Sequence, residues 1–175
     1  MSRSVKGGAA VVCRSCQTLD RRNTMRITLE RPDQPEVVRL IEDLDAYQKP
    51  LYPPESHHGI DIKALSQPDV LFAVVRSADS QAIACGAIVI GAEYGELKRM
   101  FVRPENRGQG ISKALLAFLE GQAIARGCTV FTLETGVSQP EALALYAKAG
   151  YVRRGPFGTY THDPLSVFMQ KSAAV

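Results

Sequence analysis

Along the chain, apolar residues fall at helical spacing in three stretches and in strand-like runs in six. Between Glu36 and Tyr47, Val37, Leu40, Ile41 and Leu44 share one helical face, with the acids and Arg39 elsewhere. Lys49-Pro50-Leu51-Tyr52-Pro53-Pro54-Glu55 ends that helix, because successive prolines remove donors and clash with a continuing turn. The proline-rich run reads either as a helix-to-helix connection or as a loop over a sheet that carries specificity. From Ile111 to Ala125, Ile111, Leu115, Leu116, Leu119 and Ala123 again keep helical spacing, and Gly127 is placed to terminate them. Pro140 to Ala149 forms a third helix closed by Gly150. The strands begin with Arg26-Ile27-Thr28-Leu29-Glu30, which alternates. Val70 to Val75 and Ala82 to Ile90 are apolar runs joined by the turn-like Ser77-Ala78-Asp79-Ser80, hence a hairpin. Tyr94 to Arg103 ends at Pro104, Thr129 to Thr135 is rich in β-branched and aromatic residues, and Val167 to Gln170 is a last short strand. Together these predict a mixed α/β domain, with helices packed on a central sheet.

Composition narrows the function classes. The chain has 175 residues, enough for one domain with a proper core. It is 45% hydrophobic, yet no apolar run approaches the ~18 residues of a membrane span. Residues 1–24 carry Arg3, Lys6, Arg14, Arg21 and Arg22 against Asp20, a net +4 of the chain's formal +3, so the remainder is close to −1. A body so nearly neutral lacks the clustered cations that replace phosphate counterions on nucleic acid. Residues 1–24 are expected to be a disordered extension from an upstream start codon, with one domain over residues 25–175, because the first alternating strand follows Met25 directly. Their apolar run, Ala9 to Cys13, is shorter than the core of an export signal, and the expected location is the cytoplasm. Cys13 and Cys16 form one CxxC, but four zinc ligands do not come together in sequence, so no metal is expected. Cys85 and Cys128 complete the set, and reduced thiols are expected.

The chemistry concentrates at the strand-to-helix junction Arg107-Gly108-Gln109-Gly110-Ile111-Ser112. Unpaired amides and the positive dipole end of a helix start attract an anion there, and the glycines let the backbone approach it. A P-loop does not fit, because Gly110 is followed by Ile111 and Lys113 comes too late. A dinucleotide loop does not fit either, because Gly108-x-Gly110 lacks a third glycine at the proper spacing. The segment resembles the coenzyme A loop of the GNAT N-acetyltransferases, which reads Arg or Gln, two residues, Gly, one residue, then Gly or Ala. Arg107 and Gly110 match it, and Ser112 departs by adding a hydroxyl to a small residue. Leu97-Lys98-Arg99-Met100-Phe101-Val102-Arg103-Pro104 before the loop and Ala144-Leu145-Tyr146-Ala147-Lys148-Ala149-Gly150-Tyr151 after it also look like segments of that family. The resemblance covers roughly Met25 to Gln170.

It implies a mostly antiparallel, twisted sheet of six or seven strands flanked by about four helices. It further implies acetyl transfer from acetyl-CoA, by direct attack in a ternary complex, to a primary amine of a small molecule or a protein. Coenzyme A would be held by Arg107, Gly108, Gln109, Gly110, Ile111, Ser112 and Lys113, with its pantetheine arm along the backbone of Met100, Phe101 and Val102. Glu96 matches the place of a general base, which strand alternation puts on one face with Lys98, Met100 and Val102. A base is needed because an alkylammonium with pKa ~10.4 costs about 4 to 5 kcal/mol to deprotonate at pH 7. Tyr146 matches the family's proton donor to the departing thiolate. Tyr52, His57, His58, Glu134 and Thr135 are weaker candidates for the acceptor wall. Competing readings are a non-catalytic acyl-CoA-binding module, a transferase of another acyl group, or one acting on a hydroxyl. The resemblance allows a homodimer, which no feature of the chain establishes.

Overall fold

In chain order the elements are β1 (Arg26–Leu29), α1 (Pro35–Gln48), α2 (Ile62–Leu65), β2 (Val70–Arg76), β3 (Ala82–Ile90), β4 (Gly95–Val102), α3 (Ile111–Ile124), β5 (Val130–Gly136), α4 (Pro140–Lys148), β6 (Val152–Arg154) and β7 (Ser166–Ser172). The computed structural model describes residues 25–56 and 58–173, so the expected extension over residues 1–24 and the candidate His57 lie outside the described residues. Among these no helix is long and apolar enough to cross a membrane.

The runs that lack alternation are buried on both faces. In β2, Leu71, Ala73 and Val75 enter one core layer, while Phe72 and Val74 enter the other. The layer behind the first holds α3, which inserts Leu115, Leu116 and Leu119 against Ile88, Phe131 and Leu133. The second is closed by α1 through Val37, Leu40, Ile41 and Leu44, the four residues of its predicted face. Burying each of these stabilises the fold by roughly 1.5–3 kcal/mol before the entropy of ordering is subtracted. The seven strands lie in the order β1-β2-β3-β4-β5-β7-β6, antiparallel throughout except for the β4–β5 pair. This is the mixed α/β architecture expected. Two elements carry no periodic signal: β6 is exposed at all three residues, and α2 is a single short turn of helix started by Asp61, whose carboxylate accepts from the Ala64 amide at 2.7 Å.

One irregularity shapes the centre of the sheet. Cys85 pairs with Phe101 and Ala87 with Lys98, so β4 holds one extra residue, and Arg99 takes a φ of 56° to absorb it. The bulge reverses the side-chain parity of β4 beyond that point. Leu97 therefore faces α3, whereas Phe101 packs with α1. The expected shared face of Glu96, Lys98, Met100 and Val102 is thereby corrected: Met100 and Val102 pack on the α3 layer, opposite Glu96 and Lys98. Gly86 permits this crossing, because a Cβ there would stand 2.4 Å from the Met100 sulfur.

At the other side of the molecule, Arg76 joins Glu30 at 2.8 Å and Glu36 at 2.9 Å, tying β2 to the β1–α1 turn. Burial alone would raise the Glu30 carboxyl, but hydrogen bonds from Arg76, Gln34 and Thr28 outweigh it and lower the pKa from 4.5 to about 2. Its ionisation stabilises the fold above about pH 4.5, and that contribution is lost as the pH falls toward 2. Denaturant titrations of wild type and Glu30→Gln should therefore differ at neutral pH and converge through this window. A difference constant across it would detach the effect from the carboxylate.

Candidate active site

β4 and β5 pair only from Gly95–Leu97 to Phe131–Leu133. Beyond Leu97 the bulge bends β4 away, and the edge from Lys98 to Val102 faces an opening instead of a strand. Two hollows share this opening, meeting at Leu44, Met100, Gln139, Ala142 and Tyr146.

The first hollow, about 330 Å³, runs from the β4 edge to the start of α3. Gly110 occupies the N-cap position with a φ of 77° and no side chain caps the helix. Gly108 adopts the same φ of 77°. A Cβ at either position would meet nothing within 4 Å, so the left-handed backbone turn, not lack of space, calls for glycine. The amides of the first turn are thus left for an external acceptor, at the positive end of the helix. Arg107 adds a guanidinium beside them, its Nε donating to the Val102 carbonyl at 3.1 Å. An anion joined to an extended, partly apolar arm fits this hollow. Of the residues expected to hold coenzyme A, Met100, Phe101, Val102, Arg107, Gly108, Ile111 and Ser112 border it. Gln109, Gly110 and Lys113 lie in the turn beside it with their side chains or backbone exposed.

The second hollow, about 100 Å³, is roofed by the loop after α1. Tyr52 anchors that loop, its hydroxyl accepting from the Ser138 amide at 3.0 Å, and it lies so close to β5 that a Cβ at Gly136 would meet it at 1.9 Å. This is the loop over a sheet that the prolines allowed. Tyr52, His58, Glu134 and Thr135 all border the hollow, so the structure brings together the described residues proposed for the acceptor wall. His58 presents a buried Nε2 with no partner among the described residues. Burial raises the Glu134 carboxyl above its usual range, against the lowering effects of the 2.6 Å hydrogen bond from Ser166 and of His58 and Lys98.

Glu96 is placed differently. Its carboxylate accepts from Tyr160 at 2.6 Å and pairs with Lys98 at 2.7 Å, and it does not border either hollow. Lys98 also donates to the His58 carbonyl at 3.2 Å and to the Tyr160 hydroxyl, while Arg99 holds the Ile60 carbonyl and Asp45. Lys98 and Arg99 thus fasten the roof loop to β4. Tyr160, Ser166 and these two cations were not singled out from the sequence. Tyr160 lies 62 residues from Lys98 in a stretch without periodicity, so no local signal could have found it.

Tyr146 stands where the hollows meet. It is 6% exposed, its ring packs edge-on to Tyr151 at 5.7 Å, and its hydroxyl has no hydrogen-bond partner among the described residues. Burial, reinforced by the Glu134 charge, pushes its phenol well above the ordinary value, so it stays protonated. Among the described residues no group of three potential metal ligands exists, and Cys85 and Cys128 are free thiols.

Comparison with known proteins bears on this arrangement. Residues 36–151 match the sequence model of the Acetyltransferase (GNAT) family. The chain is 50% identical over 147 residues to an IAA acetyltransferase of Azospirillum brasilense, covering 83% of this chain and 95% of that one. It is 31% identical over 150 residues to the uncharacterized N-acetyltransferase YsnE of Bacillus subtilis, covering 84% and 99%. A crystal structure from Klebsiella pneumoniae superposes with a TM-score of 0.73 at 39% identity, covering 86% of this chain and 98% of that chain.

Proposed function

This chain belongs to the acetyltransferase (GNAT) family, enzymes that use acetyl-CoA as acyl donor, and on that premise we propose that it acetylates a primary amine by direct attack within a ternary complex. The supporting observation is the position of Tyr146, a protonated phenol whose hydroxyl has no hydrogen-bond partner among the described residues, between a hollow suited to the donor and one that contains Glu134. Acetyl-CoA supplies the activated acetyl group as a thioester. Arg107, Gly108 and the first-turn amides of α3 hold its pyrophosphate, Ile111 and Ser112 line the same end, and the free edge of β4 at Met100, Phe101 and Val102 accompanies its arm.

Glu134 receives the acceptor as an ammonium and takes its proton, which leaves a nucleophilic nitrogen. Its raised pKa brings it nearer to the amine's and reduces the mismatch that makes an ordinary carboxylate a poor base for an alkylammonium. A carbon–nitrogen bond forms as the carbon–sulfur bond breaks; Tyr146 gives its proton to the departing sulfur, the second proton shed by the acylated nitrogen restores the phenol, and the first leaves Glu134 to solvent. His58 offers its Nε2, unpartnered among the described residues, to the acceptor, with Tyr52 and Thr135 shaping the wall. Glu96 acts at one remove, by holding Lys98 and through it the roof loop. This reading gives the proton-accepting role to Glu134 rather than Glu96, because only Glu134 borders the acceptor hollow.

One relative, half identical over most of both chains, is named for IAA, so IAA belongs beside amines and alcohols in the acceptor panel. Thiol release from acetyl-CoA should be fastest with a primary amine, and initial rates varied in both substrates should give intersecting double-reciprocal lines. Turnover with IAA or an alcohol and none with any amine would overturn the acceptor assignment. Parallel lines would overturn the ternary complex.

A further inference from the structure

Tyr47 is the one residue of the α1 stripe that does not reach the core. Val37, Leu40, Ile41 and Leu44 are at most 4% exposed, whereas Tyr47, one helical step further on the same face, is 37% exposed. Beneath it the sheet has given way to the donor hollow, which it borders. Its ring meets the guanidinium of Arg107 instead, with Cζ 5.1 Å from the ring centroid. Phe101 approaches the same guanidinium at 6.0 Å, and the Val102 carbonyl takes its Nε at 3.1 Å. Three contacts from two elements, α1 and β4, therefore define the place of a side chain that is otherwise exposed on a turn. Its terminal amino groups are left without a protein partner among the described residues.

We propose that Tyr47 is a positioning residue for the donor: its ring holds the Arg107 guanidinium beside the α3 N-terminus, so that the arginine meets the pyrophosphate already ordered. A long arginine side chain ordered only on binding would lose its rotamer entropy then, and a ring stacked in advance removes part of that cost. An aromatic face suits the task because it attracts a planar cation without occupying the donors that a phosphate needs. The inference rests on the reading of Arg107 as a phosphate contact.

The test is calorimetric titration of the full chain with coenzyme A, alongside the Michaelis constant for S-acetylpantetheine, which carries the thioester but no pyrophosphate. Tyr47→Leu keeps apolar bulk and helix propensity but removes the aromatic face, and should weaken coenzyme A binding roughly two- to fivefold, in line with exposed cation–π contacts. Tyr47→Phe should restore it. Neither variant should change the constant for S-acetylpantetheine. Arg107→Ala should weaken coenzyme A binding by about tenfold or more, and adding Tyr47→Leu to it should cost nothing further. Wild-type affinity in Tyr47→Leu, an additive loss in the double variant, or an equal loss with S-acetylpantetheine would overturn the positioning role. Wild-type affinity in Arg107→Ala would instead overturn the reading beneath it.

Discussion

Replacing Tyr146 by phenylalanine should lower turnover by roughly 10² to 10⁴ while leaving coenzyme A affinity near wild type. The expectation follows from what the substitution leaves in place. The ring keeps its edge-on contact with Tyr151 and its wall in both hollows. The hydroxyl has no partner among the described residues, so removing it leaves no orphaned group and little loss of stability. What disappears is a donor whose proton is held against loss by burial and by the nearby Glu134 charge, and which is therefore available when negative charge develops on sulfur. Single-turnover rates and a coenzyme A titration on the same preparation separate the two effects. Turnover within threefold of wild type would remove Tyr146 from the proton inventory.

The second large effect belongs to Glu134. Glu134→Gln should reduce kcat/KM for the amine roughly 10²-fold or more near neutrality. It should also move the rise of the pH profile toward the pKa of the free amine, because only acceptor already deprotonated in solution could then react. In wild type the corresponding rise should lie above the ordinary carboxylate range, since burial raises the Glu134 pKa and the base works only when ionised. The amide preserves the shape of the residue and can still meet the Ser166 hydroxyl, so a folding defect is not expected. Glu96→Gln provides the contrast. It should loosen Lys98 and the roof loop, raising KM for the amine without shifting the profile in this way. If Glu96→Gln shows the alkaline shift and Glu134→Gln does not, the base is Glu96.

That contrast marks where sequence reasoning and structure part. A glutamate at the start of β4 is in the right place along the chain, and alternation should turn it toward the residues that follow. The bulge at Arg99 breaks the alternation, and Glu96 ends against Lys98 and Tyr160. The lining of the second hollow was partly legible, since Tyr52, His58, Glu134 and Thr135, which all border it, could be named from the sequence. Their relative weight was not. Glu134 as a strand-end residue reads as solvated, and its burial depends on a loop some eighty residues earlier that Tyr52 ties over β5.

By itself the sequence determined the long helices, the strands with apolar runs, the glycine turn before α3 and the family, because helical period, β-branched runs and turn glycines are local and survive in one dimension. It could not reveal β6, whose exposed residues have no pattern, or α2, which is too short to have a period. Tertiary structure alone decided which carboxylate borders the second hollow, how β4 and β5 part to open the first, and that Tyr47 meets Arg107. Each of these depends on register and long-range contact: one extra residue in β4 reverses a face, and loops distant in sequence close over the site.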